Sequence, residues 1–304
     1  MSHAKTPALK CLRASVTAPA SSTTVFYVDL AQWLSATNRR LYRSGRHYQV
    51  SSVVCHDSDP AGSHIKFSVV PDTWMSRGAF RKSFAMWKKM RSQVTDYVKP
   101  GKWADFRPYL SHAHVGGTKL MPSDVAANAP SQDEWAYSLM WSPRDGGSAS
   151  PDYDSFQLCY VGDDNGSLGS LVTGAMIKAY QETRSRVTGG EPDTDADLNI
   201  SWMTNLFDTG DHLDDLSDWV DTVNDNSPYN SDDFVGGENE MPAPVIVSEA
   251  DCNLSNPVSR AGSFGALGGL VRIDVTNRAG SNNVVSFCFN LKPGSYKGVD
   301  SHAI

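Results

Sequence analysis

Two kinds of residue in this chain have the types and spacing to do chemistry. The first is the pair His112 and His114 in "SHAH" (111–114). On a strand, positions two apart project from one face, so the two imidazoles would stand together and suit a divalent metal. The second is a set of cations: Arg39, Arg40, Arg43 and Arg46, followed by Arg77, Arg81, Lys82, Lys88, Lys89 and Arg91. They fall within about fifty residues, and clustered Lys and Arg are what phosphate neutralisation requires. Tyr and Trp interleaved among them suit stacking on unpaired bases.

The histidine pair raises one enzymatic alternative, a metal-dependent nuclease using His112 and His114. Nucleases that nick single-stranded DNA in rolling-circle replication carry a His–x–His pair. They also need a tyrosine nucleophile with a lysine a few residues on, and no Tyr–x–x–Lys occurs here. No GxGxxG opens a helix, and GxxxxGK[ST], HExxH and GxSxG are all missing. The expectation is a non-enzymatic protein.

No cofactor is expected either. Read as an EF-hand from Asp193, the acidic stretch 191–199 puts Leu198 at the sixth loop position and Thr204 at the twelfth, where glycine and glutamate are needed. Structural calcium held by several loops, "DDNG" (163–166) among them, stays open without a motif. The five cysteines (Cys11, Cys55, Cys159, Cys252, Cys288) form no CxxC pair and read as small apolar residues kept reduced.

These residues need elements to hold them. Of 27 Lys/Arg and 34 Asp/Glu, residues 1–110 hold 17 and 6, and no Lys or Arg lies between Arg186 and Arg260. This polarity implies two differently charged surfaces, or complementary faces that meet between copies. In "WMSRGAFRKSFAMWKKMR" (74–91), Phe80, Phe84, Trp87, Met90 and Val94 recur at steps of three and four. That spacing predicts an amphipathic helix with a core stripe on one side and a cationic face on the other. Further helices are expected near 167–187 and 199–226, and a shorter one after Leu30.

Runs rich in β-branched and aromatic residues predict about nine strands. Examples are "TTVFYVDL", "YQVSSVVCHDS", "HIKFSVVP", "ADFRPYL", "VIVSEAD" and "NVVSFCFNLKP". "DPAG" reads as a turn between two of them, "NRAGSNN" (277–283) as a hairpin loop, and "GSFGALGG" as a bulged strand entry. With no βαβ alternation and no repeat, the expected class is mainly β: a jelly-roll β-sandwich of eight or nine strands over residues 25–304, with helical insertions near 74–98, 167–187 and 199–226. The small, polar first 24 residues read as a flexible arm. No stretch nears the roughly 18 apolar residues of a membrane span, and no secretory leader is evident, so a soluble intracellular product is expected, with no membrane contact.

Several phrases resemble the capsid proteins of environmental circular single-stranded DNA viruses. They are "FYVDLAQWLSATNRRLYRSGRHYQV", "VPDTWMSRGAFRKSFAMWKKM", "ADFRPYL", "GSLVTGAMIKAYQETRSRV", "NLFDTGDHLDDLSDWVDTVNDNSPYN" and the glycine-rich run before "LVRIDV", spread over most of residues 25–275. The resemblance implies a jelly-roll subunit, made in the host cytoplasm or nucleus, that self-assembles into an icosahedral virion around a single-stranded DNA genome. Such capsid proteins often begin with a long arginine-rich arm, whereas the first twenty residues here hold only Lys5, Lys10 and Arg13. Contact with DNA would then fall to the 39–46 and 77–91 clusters, with an acidic neighbour as the competing partner. The alternative class is a glycan- or ligand-binding β-sandwich module.

Overall fold

A computed structural model describes residues 8–57, 59–94, 103–123, 135–143, 153–166, 171–185 and 243–304. The chain opens with strands β1 (Cys11–Ala18) and β2 (Thr23–Asp29), helix α1 (Leu30–Asn38), strands β3 (Arg46–Asp57) and β4 (Ser63–Val69), and helix α2 (Trp74–Val94). An inserted region follows, with α3 (His112–Gly116), β5 (Thr118–Lys119), β6 (Leu139–Pro143), β7 (Tyr153–Cys159), β8 (Thr173–Ala175) and α4 (Met176–Ser185). The rest is β9 (Val245–Cys252), β10 (Val258–Ala261), β11 (Phe264–Leu267), β12 (Leu270–Asn277), β13 (Asn283–Leu291), β14 (Pro293–Gly294), β15 (Gly298–Val299) and β16 (Ser301–Ala303).

Two large sheets form a mainly β sandwich. One runs β1-β13-β3-β10, with β11 and β16 also on β3, and the other runs β5-β2-β12-β4-β9. All pairings are antiparallel except β2 with β5. Alternating apolar residues turn inward from both sheets, as a half-buried strand requires. Phe67 of β4 meets the ring edges of Phe287 and Phe289 of β13 at 6.3 and 5.9 Å, and Trp33 of α1 meets Phe289 at 5.6 Å.

A second apolar cluster covers the other side of β2. Phe26 and Val28 face the sandwich core, while Tyr27 joins Met75 and Phe80 of α2 and Phe106, Leu158, Tyr160 and Ile177 of the inserted region. Within the inserted region, β6, β7 and β8 make a small sheet of their own.

Three sequence expectations need correction. Within the expected arm of residues 1–24, Cys11–Ala18 is an edge strand paired along its whole length with β13. Leu12, Ala14, Val16 and Ala18 alternate inward, a period-two pattern that the small, polar composition masks. The 277–283 segment does not close a hairpin, because β12 and β13 lie in different sheets, whereas "DPAG" is the expected turn between β3 and β4, with the Gly62 amide donating to the Asp59 carbonyl at 3.1 Å. "ADFRPYL" contributes one bridge, Tyr109 to Cys159, rather than a strand.

The glycine-rich run resolves into β11 and a turn that carries the chain between sheets. Gly268 and Gly269 take φ +67° and +78°, and a Cβ on Gly269 would sit 3.1 Å from the Ala31 backbone nitrogen. Glycine tolerates both conditions. The helix expected at 199–226 and the acidic 191–199 stretch lie outside the described residues.

Candidate nucleic-acid interface

The turn after α1 carries the first four arginines. Asp29 caps the helix, with Oδ1 accepting from the Ala31 and Gln32 amides at 2.9 and 3.1 Å and Oδ2 accepting from Trp135 Nε1 at 2.9 Å. Arg39 ends the helix in the left-handed conformation at φ 54°. The chain then turns so that Arg39 and Arg43 are exposed and Arg40 and Arg46 half-buried.

Two of the four hold the structure together. Arg43 donates to the Ala104 carbonyl at 2.7 Å and pairs with Asp105 at 3.4 Å. Arg46 donates to the hydroxyl and carbonyl of Ser301 at 3.1 and 2.8 Å, and its guanidinium lies 3.7 Å over the Tyr296 ring. Arg39 and Arg40 have no carboxylate partner among the described residues.

Sequence reading missed a fifth cation here. Lys297 donates to the Leu41 carbonyl and lies 5.5 and 5.4 Å from the Tyr42 and Tyr296 ring centres. Burial lowers its pKa, and repulsion from Arg43, Arg40 and Arg46 lowers it further. Four like charges crowd around two tyrosines, and Asp105 pairs with one of them, Arg43. Such a corner attracts anions. No local signal reveals Lys297, because it lies about 250 residues from its partners and only the sheet order brings it in.

The α2 cations split in the same way. Arg77 is held bidentately by Asp72, Nε to Oδ1 at 2.5 Å and Nη2 to Oδ2 at 2.7 Å. Arg91 lies 4.7 Å over the Trp87 ring and Lys82 lies 5.9 Å from the Tyr180 ring. Arg81, Lys88 and Lys89 are exposed and have no ion pair among the described residues. The stripe opposite them is deeply buried only in the first half of the helix, at Met75, Ala79 and Phe80. Beyond it, Phe84 is 39% exposed and completes an aromatic ladder with Phe80, Trp87 and Phe106 at 5.6–6.2 Å.

His112 and His114 are not brought together. They lie on α3, where positions two apart diverge by about 200°. His114 stacks on Tyr27 at 4.4 Å, and its Nδ1 accepts the Leu110 amide at 3.1 Å, so the ring is neutral. Burial pushes its pKa down to about 3. His112 bonds Thr173 through Nδ1 at 2.9 Å and Asn165 through Nε2. The pair therefore makes no joint metal or nuclease centre. In "DDNG", Asp163 pairs with Lys178 of α4, and Asp164 accepts the Ala175 amide at the end of β8 at 2.6 Å.

No described helix is long and apolar enough to cross a membrane. No family model, curated protein or solved structure matches the chain.

Proposed function

We propose that the sandwich is a jelly roll and that the chain is a viral capsid protein, self-assembling into an icosahedral shell around single-stranded DNA. The observation that carries this reading is the strand order. Counting β10 and β11 as one interrupted strand along β3, the eight main strands run first-eighth-third-sixth in one sheet and second-seventh-fourth-fifth in the other. An antiparallel ribbon that rolls up on itself, pairing first with eighth and fourth with fifth, would give such an order, and this supports the jelly-roll reading. Shell-forming subunits use this sandwich because loops gather at its two ends and its flanks can meet neighbours.

The basic corner supports contact with nucleic acid. Arg39, Arg40 and Lys297, with Arg81, Lys88 and Lys89 on α2, offer cations that no described carboxylate pairs with, and Tyr296 lies half-buried beside Lys297. Arg43, Arg46 and Arg77 have structural duties and form the less available part of the set.

Electron microscopy and size measurement of the purified protein test assembly: closed particles are expected, and a strict monomer across salt, pH and calcium conditions would refute it. For DNA, changing Arg39, Arg40 and Lys297 to Gln together should reduce the salt slope of single-stranded DNA binding by about 2, at about 0.7 per phosphate contact. An unchanged slope would assign the corner to a protein partner.

A further inference from the structure

On the flank where α2 meets the sandwich, two histidines and a carboxylate converge. His47 on β3 and His302 on β16 are direct cross-strand partners, so their side chains leave the same face. Their ring centres are 4.7 Å apart. Asp72, just before α2, brings Oδ2 to 3.8 Å from His47 Nε2. One ligand atom from each of the three residues lies within 4.8 Å of the others.

We propose that His47, Asp72 and His302 form a binding site for a zinc-class divalent cation. Tetrahedral zinc with bonds of about 2.0–2.1 Å keeps its ligand atoms about 3.4 Å apart. The longest separation, at most 4.8 Å, must therefore close by up to about 1.4 Å, a move open to His302, which is exposed on the short strand β16. Two imidazoles and one carboxylate suit zinc and neighbouring transition metals rather than calcium, which takes six to eight oxygens. Water would fill the remaining position.

Two features hold His47 for this role. Its Nδ1 is 3.2 Å from the Gln49 side-chain nitrogen, a second partner of the kind that orients metal-bound histidines. As placed, that nitrogen donates to Nδ1; with the side-chain amide turned over, Gln49 would accept from Nδ1–H and leave the Nε2 lone pair for the ion. Across the strand pair, Gly265 leaves room for the ring, because a Cβ there would overlap it. A simple Arg–Asp ion pair would need neither histidine nor this gap.

At present Arg77 supplies the positive charge. It grips Asp72, and its Nη2 donates to His302 Nε2 at 3.1 Å. The guanidinium cannot accept, so His302 already points an Nε2 lone pair toward the cluster. Metal binding would then be an exchange, with the ion replacing Arg77 on both ligands.

Calorimetric titration of the full chain with zinc chloride, with calcium chloride as control, tests the site. One equivalent of zinc should bind and calcium should not. Changing a residue that only hydrogen-bonds a metal ligand already costs about 10–100-fold in metal affinity, so His302→Ala and Asp72→Asn, which remove ligands themselves, should each weaken binding about 100-fold or more. Arg77→Gln should tighten it by removing the competitor. His47 is left intact because its burial makes its replacement a risk to folding. No saturable zinc uptake, or uptake that survives both His302→Ala and Asp72→Asn, would overturn the site. Weaker binding in Arg77→Gln would overturn the exchange.

Discussion

His114 should make stability fall on acidification, and a substitution should reverse that response. The ring is sandwiched among Tyr27, Tyr109 and Tyr137, and burial lowers its pKa from 6.5 to about 3. A depressed histidine contributes stability that is fully present above its unfolded value and is lost as pH falls from 6.5 toward 3. Between pH 7 and pH 5 that loss comes to about 2 kcal/mol, because only the unfolded chain takes up the proton. Asp29 acts in the opposite direction. Burial raises its pKa from 3.8 to about 6, so its cost to folding at pH 7 shrinks by about 1 kcal/mol at pH 5 as the folded chain binds a proton. The two partly offset, and on these groups alone the native protein loses about 1 kcal/mol. In His114→Gln the first contribution vanishes while Asp29, Asp72, His47 and every other group stay, so the same acidification should stabilise it by about 1 kcal/mol relative to its own pH 7 value. Urea unfolding followed by Trp fluorescence at both pH values measures this. The informative quantity is the difference of about 2 kcal/mol between the two pH responses, not the absolute stability of the variant. Parallel responses in the two proteins would refute the neutral, buried imidazole.

Other substitutions probe the frame. Phe289→Ala removes a fully buried ring touched by Trp33 and Phe67, and should cost about 3–5 kcal/mol in urea unfolding. Gly269→Ala places a side chain at φ +78° against the Ala31 backbone, and should lower stability by about 1–3 kcal/mol. A conservative exchange at exposed Lys89 should stay within about 0.5 kcal/mol. Deleting residues 1–18 removes the strand that covers β13, so the shortened chain should unfold at lower urea and aggregate more readily than the full chain.

The long β-branched and aromatic runs were legible because each alternates strongly enough to mark a buried face: β3, β4, β12 and β13 all stand where their sequences predict. Helix α2 was legible through its three-and-four spacing, although the spacing could not tell that deep burial ends near Phe80. What escaped is what depends on partners remote in sequence. β1 is built from small residues whose alternation is weak until β13 lies beside it, and β10 and β11 are only four residues each. The basic cluster was half visible, since Arg39–Arg46 adjoin in sequence while Lys297 arrives from the far end. The histidine pair misled because its meaning rests on the local period. On a strand the rings converge, but on the short α3 they part.

The order of strands in the two sheets also dictates when this protein can exist at all. Ser15 of β1 bonds Ser286 of β13 across 271 positions. Closing so long a loop costs little more free energy than closing one half its length, about 0.6 kcal/mol per doubling, but it cannot begin until the distal strand has been made. During synthesis β3 waits for β10, β11, β13 and β16, and β2 and β4 wait for β12. A growing chain therefore carries open strand edges until its last segments emerge, and such edges invite pairing with other chains. A finished sandwich, by contrast, appears late and as a unit, so any surface that joins copies is completed only after translation has passed β13.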